Sequence, residues 1–400
     1  QGATFRSLRH RNARAYFLGL LVSSVGTWLQ LTATTLLLFQ LTGKAEDLGL
    51  NAAAQFLPVL LLGAWAGGLA DRVDRRRLML ATQSALQAFA LAALVAADRA
   101  SPTLVYVLSA LLGIIGAIDN PARRGLIAEL VEADDVPNAM ALNTAVMTGS
   151  RILGPAIAAT LAQPLGIPWL LAANGLSFAA FILPVAAIRP GSLRVEPKAA
   201  AGGQPVREAL RFVAGHPQLG PLMLVYALVS TFAFNHSVSL PALAERRFGD
   251  AQAFGYLLSV TGIGSLVGAL VTAGRQAVSP RWFLSCTALL GLASLAMAVA
   301  PSMAWALVLA LPLGLGGAGF ISAANAILQG LGPPEMRSRL LALTAVAFLG
   351  STPVGGPITG WIADHVSPGW SLAYGGLVSL AAAAWMVWRL GAGAAKAGGG

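Results

Sequence analysis

The chain has 400 residues, of which 56% are hydrophobic and only 10% are charged, with a formal net charge of +10. Apolar runs of about 20 residues, the length that a helix needs to cross the hydrocarbon core of a bilayer, recur along the whole sequence. The runs are continuously apolar rather than alternating, which excludes an outer-membrane β-barrel. The composition therefore predicts an all-α polytopic membrane protein.

The apolar runs predict twelve transmembrane helices. They cover residues 15–40, 49–70, 78–97, 103–122, 138–161, 168–188, 219–243, 253–274, 282–300, 303–330, 340–363 and 370–388. The first run is too long for the apolar core of a signal peptide and lacks a cleavage site, so we expect it to remain as the first span. Cys286 is the single cysteine, which excludes an internal disulfide and argues against a metal cluster.

The distribution of basic residues predicts the orientation of these helices. With a cytoplasmic N-terminus, 21 of the 26 Lys and Arg residues fall in cytoplasmic segments and only 4 in outside loops. By the positive-inside rule, both termini are then cytoplasmic. The positive charge thus reports membrane topology, and we expect no nucleic-acid partner.

The sequence divides into two related halves. Residues 189–218 are polar, separate six predicted spans from six others, and contain a short amphipathic segment at 205–213. We predict an N-terminal six-helix bundle at 1–188, a cytoplasmic linker at 189–218, a C-terminal bundle at 219–390 and a disordered tail at 391–400. Helix-softening Gly-Pro pairs recur in the fifth and eleventh spans. They are Gly154-Pro155 and Gly356-Pro357. Duplicated six-span halves are typical of transporters.

A charged loop joins the second and third predicted spans. Its pattern, Gly67-x-x-x-Asp71-Arg72-x-Asp74-Arg75-Arg76, resembles the loop signature of the major facilitator superfamily, with Asp74 where glycine is usual. The Gly-Pro pair of the fifth span is similar to that superfamily's antiporter motif. The segment Asp119-Asn120-Pro121-Ala122-Arg123 looks more narrowly like the bacterial exporter branch that includes enterobactin and macrolide exporters.

The resemblance implies two pseudo-symmetric bundles and a cytoplasmic gate. In this family the loop carboxylate, here Asp71, faces the N-terminus of the eleventh helix near Arg339, and Arg75 would reach a carboxylate on the fourth span, where Asp119 is the candidate. The implied gate residues are Gly67, Asp71, Arg72, Arg75, Arg76, Asp119 and Arg339. An alternative is that the arginines only anchor the loop to anionic lipid.

Three isolated ionisable residues are candidates for coupling, because such groups inside a membrane are rare. Asp119 is a latch partner or a proton relay. Arg151 binds an anionic substrate group or donates to carbonyls freed at Pro155. His236 titrates near neutral pH or is simply hydrogen-bonded.

Polar side chains at helical spacing predict a substrate cavity, since the first, seventh and tenth helices line the cavity in the superfamily. The predicted lining residues are Ser23, Thr27, Gln30, Thr34, Tyr226, Ser230, Ser322, Asn325 and Gln329. The same residue types also serve as polar contacts between helices, which remains the alternative.

The resemblance implies a secondary transporter that exports a small amphipathic, drug-like or siderophore-like molecule by alternating access and proton antiport. The alternative is a flippase-like carrier of lipid or lysolipid. The sequence contains no P-loop lysine motif and no set of residues for an enzyme site, so we expect neither catalysis, cofactor nor metal. The expected partners are a small-molecule substrate, membrane lipids and protons. We expect a monomer in the bacterial inner membrane.

Overall fold

All regular secondary structure in the described part of the chain is helical. The computed structural model describes residues 3–95, 101–189, 193, 205–275, 277–333 and 336–397. Much of the predicted linker lies outside these residues. The last helix runs to Ala397 and takes up residues that we predicted as a disordered tail. This corrects that prediction, because the alanine-rich sequence there favours a helix.

The α-helices follow one another with short connections. In chain order they are α1 (Arg11–Thr42), α2 (Ala45–Arg72), α3 (Arg75–Val95), α4 (Pro102–Glu129), α5 (Val136–Leu165), α6 (Ile167–Ala187), α7 (Pro205–Gly215), α8 (Leu219–Ala233), α9 (His236–Phe248), α10 (Ala253–Ala273), α11 (Pro280–Ala298), α12 (Met303–Leu331), α13 (Arg337–Leu349), α14 (Thr352–His365) and α15 (Pro368–Ala397). Short 3₁₀ helices cover Ala3–Arg9 and Ala133–Asp135.

The protein is a multi-pass membrane protein. Ten helical segments of the described chain are long and apolar enough to cross a membrane. They are α1, α4, α5, α6, α8 with α9, α10, α11, α12, most of α13 with α14, and the first part of α15. The other two predicted spans, 49–70 and 78–97, fall on α2 and α3.

Contacts divide the chain into two compact units, and the first comprises Gln1–Gly43 and Ala54–Gly202. Here α1 packs along α5 and α6, and α3 packs on α4 and α6. The buried ring of Tyr16 meets Phe181 edge to face at 5.1 Å. Close helix packing at this core depends on Gly19, because a Cβ there would lie 2.5 Å from the carbonyl oxygen of Ala180.

The second unit comprises Lys44–Ala53 and Gly203–Gly400. Within it, α12 packs on both α10 and α11. A Cβ on Gly314 of α12 would lie 1.9 Å from the carbonyl oxygen of Thr261 in α10. Small residues at such positions let membrane helices approach closely enough for their backbones to touch.

The first residues of α2 are held inside this second unit by Asp364 of α14. The Asp364 carboxylate accepts hydrogen bonds from the backbone N–H groups of Ala45 and Glu46 at 2.9 and 2.8 Å. Arg246 of α9 pairs with the same carboxylate at 2.5 Å. The first N–H groups of a helix have no partner within the helix, and the carboxylate accepts hydrogen bonds from two of them. Its negative charge is also stabilised by the positive end of the helix dipole.

Helix α7 covers the segment in which we predicted a short amphipathic helix. Helix α7 packs on α13 and α8 of the same unit, and its residues Ala209 and Val213 are buried. Arg339 at the start of α13 pairs with Glu208 of α7. Both charged side chains are about 40% exposed, 36% and 43% respectively. Exposed ion pairs contribute little, about 0–1 kcal/mol, so apolar packing holds α7 in place.

Candidate functional site

The charged loop between α2 and α3 makes its described contacts within the first unit. Gly67 and Asp71 lie in α2, but their side chains are outside the described residues, and Arg72 is exposed. Arg76 donates from Nε to the carbonyl oxygen of Val185 at 2.9 Å. It also donates to Ala186, so it satisfies carbonyl groups at the C-terminal end of α6. This arginine therefore joins the start of α3 to the end of α6.

The predicted pair of Arg75 with Asp119 is corrected by the structure. Arg75 donates from Nη1 to Oε1 of Glu129 at 3.0 Å, and both side chains are less than one-fifth exposed. Asp119 instead pairs with Arg123 on the same helix at 2.5 Å. Residues four apart lie on one face of a helix, so Arg123 is closer to the Asp119 carboxylate than an arginine from the loop. Glu129 ends α4, where Arg75 begins α3.

Asp119 is the centre of a buried polar cluster between α3 and α4. One carboxylate oxygen accepts hydrogen bonds from Thr82 Oγ1 at 2.8 Å and from Gln83 Nε2 at 2.7 Å, and the other binds Arg123. Asp119 is only 3% exposed. The buried Nε of Arg123 and the hydroxyl of Tyr16 have no hydrogen-bond partner among the described residues. The cluster thus combines an ion pair with unused donors.

Arg151 lies on the surface of α5 and stacks on an aromatic ring of α1. Its guanidinium carbon lies 5.0 Å from the ring centroid of Trp28. A Cβ on Gly154, one turn later, would lie 2.5 Å from the Cβ of Trp28. Helix α5 continues without interruption through Pro155. Cation–π contact is therefore the described interaction of Arg151.

The predicted polar stripe of α1 divides into buried and accessible residues. Gln30 is buried and accepts a hydrogen bond from Asn174 of α6. Ser23 is buried as well, whereas Thr27 is exposed and Thr34 is partly exposed. Gln30 therefore joins two helices of the first unit, and the two threonines remain candidates for a cavity lining.

The predicted stripe of α12 has a similar division. Asn325 accepts a hydrogen bond from Thr344 Oγ1 of α13 at 2.9 Å. Gln329 is exposed and donates to the backbone carbonyl of Asn325, and Ser322 is partly exposed. Polar contacts between helices thus account for Asn325, while Ser322 and Gln329 stay accessible.

Two membrane spans of the second unit are interrupted. Helix α8 ends at Ala233 and α9 begins at His236, so the span Leu219–Phe248 is broken at Phe234 and Asn235, whose backbone leaves the helical region. The other interruption, between α13 and α14, is slighter, because Gly350 and Ser351 keep right-handed helical dihedral angles. It lies before the Gly356-Pro357 pair. Non-helical backbone at membrane depth, as at the first interruption, is tolerated where it is buried in protein or lines a water-filled cavity.

Aromatic rings connect the two interruptions. The ring of Phe234 lies 5.2 Å from that of Phe348 and 5.9 Å from that of Phe320. Tyr226 stacks on Phe320 at 5.2 Å. His236, at the start of α9, lies 6.0 Å from Phe234. Tyr226 and His236 were among the residues predicted from the sequence, whereas the three phenylalanines were not. A single phenylalanine in an apolar span cannot be distinguished by sequence pattern from the apolar residues around it.

Comparison with known families decides the class of protein. A family model described as a transmembrane secretion effector of the MFS type matches residues 2–397. The chain belongs to the major facilitator superfamily. Members of this superfamily are transporters and not enzymes. As an MFS protein, the chain confirms the family resemblance that its charged loop and exporter-like segment indicated.

Relatives of this MFS protein include a staphyloferrin A transporter and a multidrug efflux pump. It is 25% identical over 260 residues to a staphyloferrin A transporter of Staphylococcus aureus, covering 64% of this chain but only 63% of that protein. It is 27% identical over 365 residues to the multidrug efflux pump Tap of Mycolicibacterium fortuitum, covering 86% and 87%. The structure of a bacterial homolog of the human lysosomal transporter Spinster shares the fold, with a TM-score of 0.68, 16% identity and coverage of 97% and 96%.

Proposed function

We propose that this MFS protein exports a small amphipathic molecule by alternating access. The observation that carries this proposal is the meeting of two interrupted spans in the second unit, where Phe234 contacts Phe348. Interrupted membrane helices are the usual elements of substrate sites in secondary transporters. Multidrug efflux by one relative supports an outward direction and a drug-like substrate, and staphyloferrin A transport by another supports a siderophore-like substrate.

We propose further that export is coupled to proton entry through Asp119. Its carboxylate is buried against Arg123, Thr82 and Gln83, so protonation would remove the partner of a buried cation. Loss of one charge strongly destabilises a buried ion pair, so a protonated cluster would favour a different packing of α3 and α4. Proton entry would in this way shift the balance between two conformations of the transporter.

The proposed setting is a monomer in the bacterial inner membrane, with twelve spans, both termini cytoplasmic and one six-helix bundle on each side of the linker. The two spans needed beyond the ten found are α2 and α3. Placing the loop 67–77 in the cytoplasm agrees with the positive-inside rule. Membrane lipids would then contact the exposed apolar side chains of α10 and α15, such as Leu270 and Trp388.

Transport by reconstituted protein tests the function. In liposomes containing the purified full chain, we expect an imposed proton gradient to accelerate movement of at least one amphipathic dye or siderophore against its own gradient, by tenfold or more over empty liposomes. Collapse of the gradient with a protonophore should remove the acceleration. Movement of labelled lipid between leaflets, without any response to the proton gradient, would instead establish a lipid carrier.

We also propose that the loop 67–77 forms a cytoplasmic latch, in which the carboxylate of Asp71 acts at the N-terminus of the eleventh predicted span, as the family resemblance implies. Negative charge at a helix N-terminus is stabilised by about 0.3–1 kcal/mol, and by up to about 2 kcal/mol when partly buried. Replacing Asp71 with asparagine should therefore shift the population of outward-open molecules downward by about twofold to tenfold. Spin-label distances on both faces of the protein would measure the shift.

The matched control for the latch is Asp74→Asn. Asp74 is exposed and accepts a hydrogen bond from the backbone N–H of Arg77 at 2.8 Å, so it belongs to the same loop but caps α3 locally. We expect this variant to leave the distribution of states unchanged. An equal shift in both variants would show that the loop acts through general charge, for example on anionic lipid, and not through Asp71.

A further inference from the structure

We propose that the aromatic cluster at the two interruptions is a subsite for a flat aromatic group that carries a hydroxyl or carbonyl substituent. This inference rests on the proposed export function and specifies the substrate class of the same protein. The cluster consists of Tyr226, Ser230, Phe234, His236, Phe320 and Phe348. Three separate features of the second unit support it.

The rings form a continuous aromatic surface. One part of it is fully buried, and another part is accessible. Phe320 is fully buried and stacks between Tyr226 at 5.2 Å and Phe283 at 5.0 Å. Phe234 and Phe348, which meet edge to face, are only partly buried. Aromatic pairs prefer offset-stacked or edge-to-face arrangements, so an additional flat ring would find a favourable place on these two phenylalanines.

Two polar atoms beside the rings lack partners. The Oγ of Ser230 and the Nε2 of His236 are buried, and neither has a hydrogen-bond partner among the described residues. An unsatisfied buried donor or acceptor is energetically unfavourable. A hydroxyl or carbonyl on the bound group would satisfy either atom, since a serine hydroxyl and a neutral imidazole nitrogen can each donate or accept.

Helical spacing places these groups together. Tyr226 and Ser230 lie four residues apart on one face of α8, and Phe234 follows four residues later as the residue directly after the helix. Helix α8 ends directly before Phe234, and His236 begins the next helix with its ring 6.0 Å from that of Phe234. The interruption therefore places the imidazole of His236, which lacks a hydrogen-bond partner at Nε2, next to the aromatic cluster.

Equilibrium binding to the purified full-length protein tests the subsite, with 7-hydroxycoumarin, coumarin and the saturated decahydro-2-naphthol as probes. We expect 7-hydroxycoumarin to bind at least fivefold more tightly than coumarin, and coumarin more tightly than decahydro-2-naphthol. Ser230→Ala and His236→Gln should each reduce the preference for the hydroxyl at least threefold. Phe234→Leu should reduce the preference for the aromatic ring over the saturated probe.

The matched controls lie in the same unit but away from the cluster. His365 is exposed and stacks on Trp361, and Phe212 belongs to α7. His365→Gln and Phe212→Leu should leave all three affinities unchanged. Equal losses in the control variants, or absence of any aromatic preference in the wild type, would overturn the subsite. Export by the wild type in the liposome assay would still establish the proposed function in that case.

Photolabelling keeps the inference testable if a variant fails to fold. A photoreactive azidocoumarin should label wild-type peptides from Leu219–Phe248, Met303–Leu331 or Arg339–His365, and excess 7-hydroxycoumarin should protect them. Protected labelling confined to other peptides would contradict the assignment. This measurement needs neither a substitution nor a working transport assay.

Discussion

Replacing Asp119 with alanine should lower the free energy of unfolding by about 3–5 kcal/mol, the usual cost of removing one partner of a buried ion pair. Arg123 would lose its carboxylate, and the Thr82 hydroxyl and the Gln83 amide would lose the acceptor that they share. The Thr82 hydroxyl could still donate to the carbonyl oxygen of Met79 at 3.1 Å, whereas Arg123 would be left buried without an opposite charge. Reversible unfolding by SDS in mixed micelles would measure the change.

Two variants control this experiment. Glu132→Ala removes an exposed carboxylate near the end of α4 and should change stability by less than about 0.5 kcal/mol. The double variant Asp119→Leu with Arg123→Met should be more stable than Asp119→Ala, because it removes the uncompensated charge. A loss below about 1 kcal/mol for Asp119→Ala would show that water or another group already satisfies Arg123.

Replacing Gly314 with alanine should destabilise the second unit by about 3 kcal/mol, the upper part of the range for overpacked cores. The new Cβ would meet the carbonyl oxygen of Thr261 at 1.9 Å and its carbonyl carbon at 2.8 Å. Backbone atoms of a neighbouring helix cannot rotate away like a side chain. The variant would therefore have to separate α10 from α12, and loss of thermal stability in detergent would report it.

Gly330 of the same helix provides the matched control. A Cβ there would meet no atom within 4 Å. Alanine is the better helix former, so Gly330→Ala should be neutral or gain about 0.5–1 kcal/mol. If both variants lost stability equally, the close approach of α10 to α12 at Gly314 could not be the cause of the loss.

The polar residues of the sequence were a good guide to the class of protein. They were a poorer guide to which side chains contact one another. The charged loop and the exporter-like segment placed the chain in its family, which the match over residues 2–397 confirms. Asp119 was correctly selected as an unusual buried charge, yet its partner is Arg123. The spacing of four residues between Asp119 and Arg123 already indicated this pair. We instead predicted Arg75, the partner that the family resemblance implies.

Residue type alone did not separate cavity-lining side chains from contacts between helices. Gln30 and Asn325 fit the predicted stripes, yet each is bound to a side chain of a neighbouring helix. The interruption after Phe234 was missed because a continuous apolar run does not show where a helix stops. Asn235 was the available signal, since its side chain satisfies the carbonyl of Thr231 that the interruption leaves without a helical donor.

The hydrogen bonds of Asp364 bear on how the protein can be divided. Cutting the polypeptide in the linker 189–218 would leave residues 44–53 on the N-terminal fragment, although they belong to the second compact unit. The C-terminal fragment would keep Asp364 and Arg246 but lose the two backbone donors of Ala45 and Glu46. Its compact unit is thus assembled from two stretches of chain. Produced alone, that fragment would be an incomplete fold, and complementation would require both fragments in one membrane.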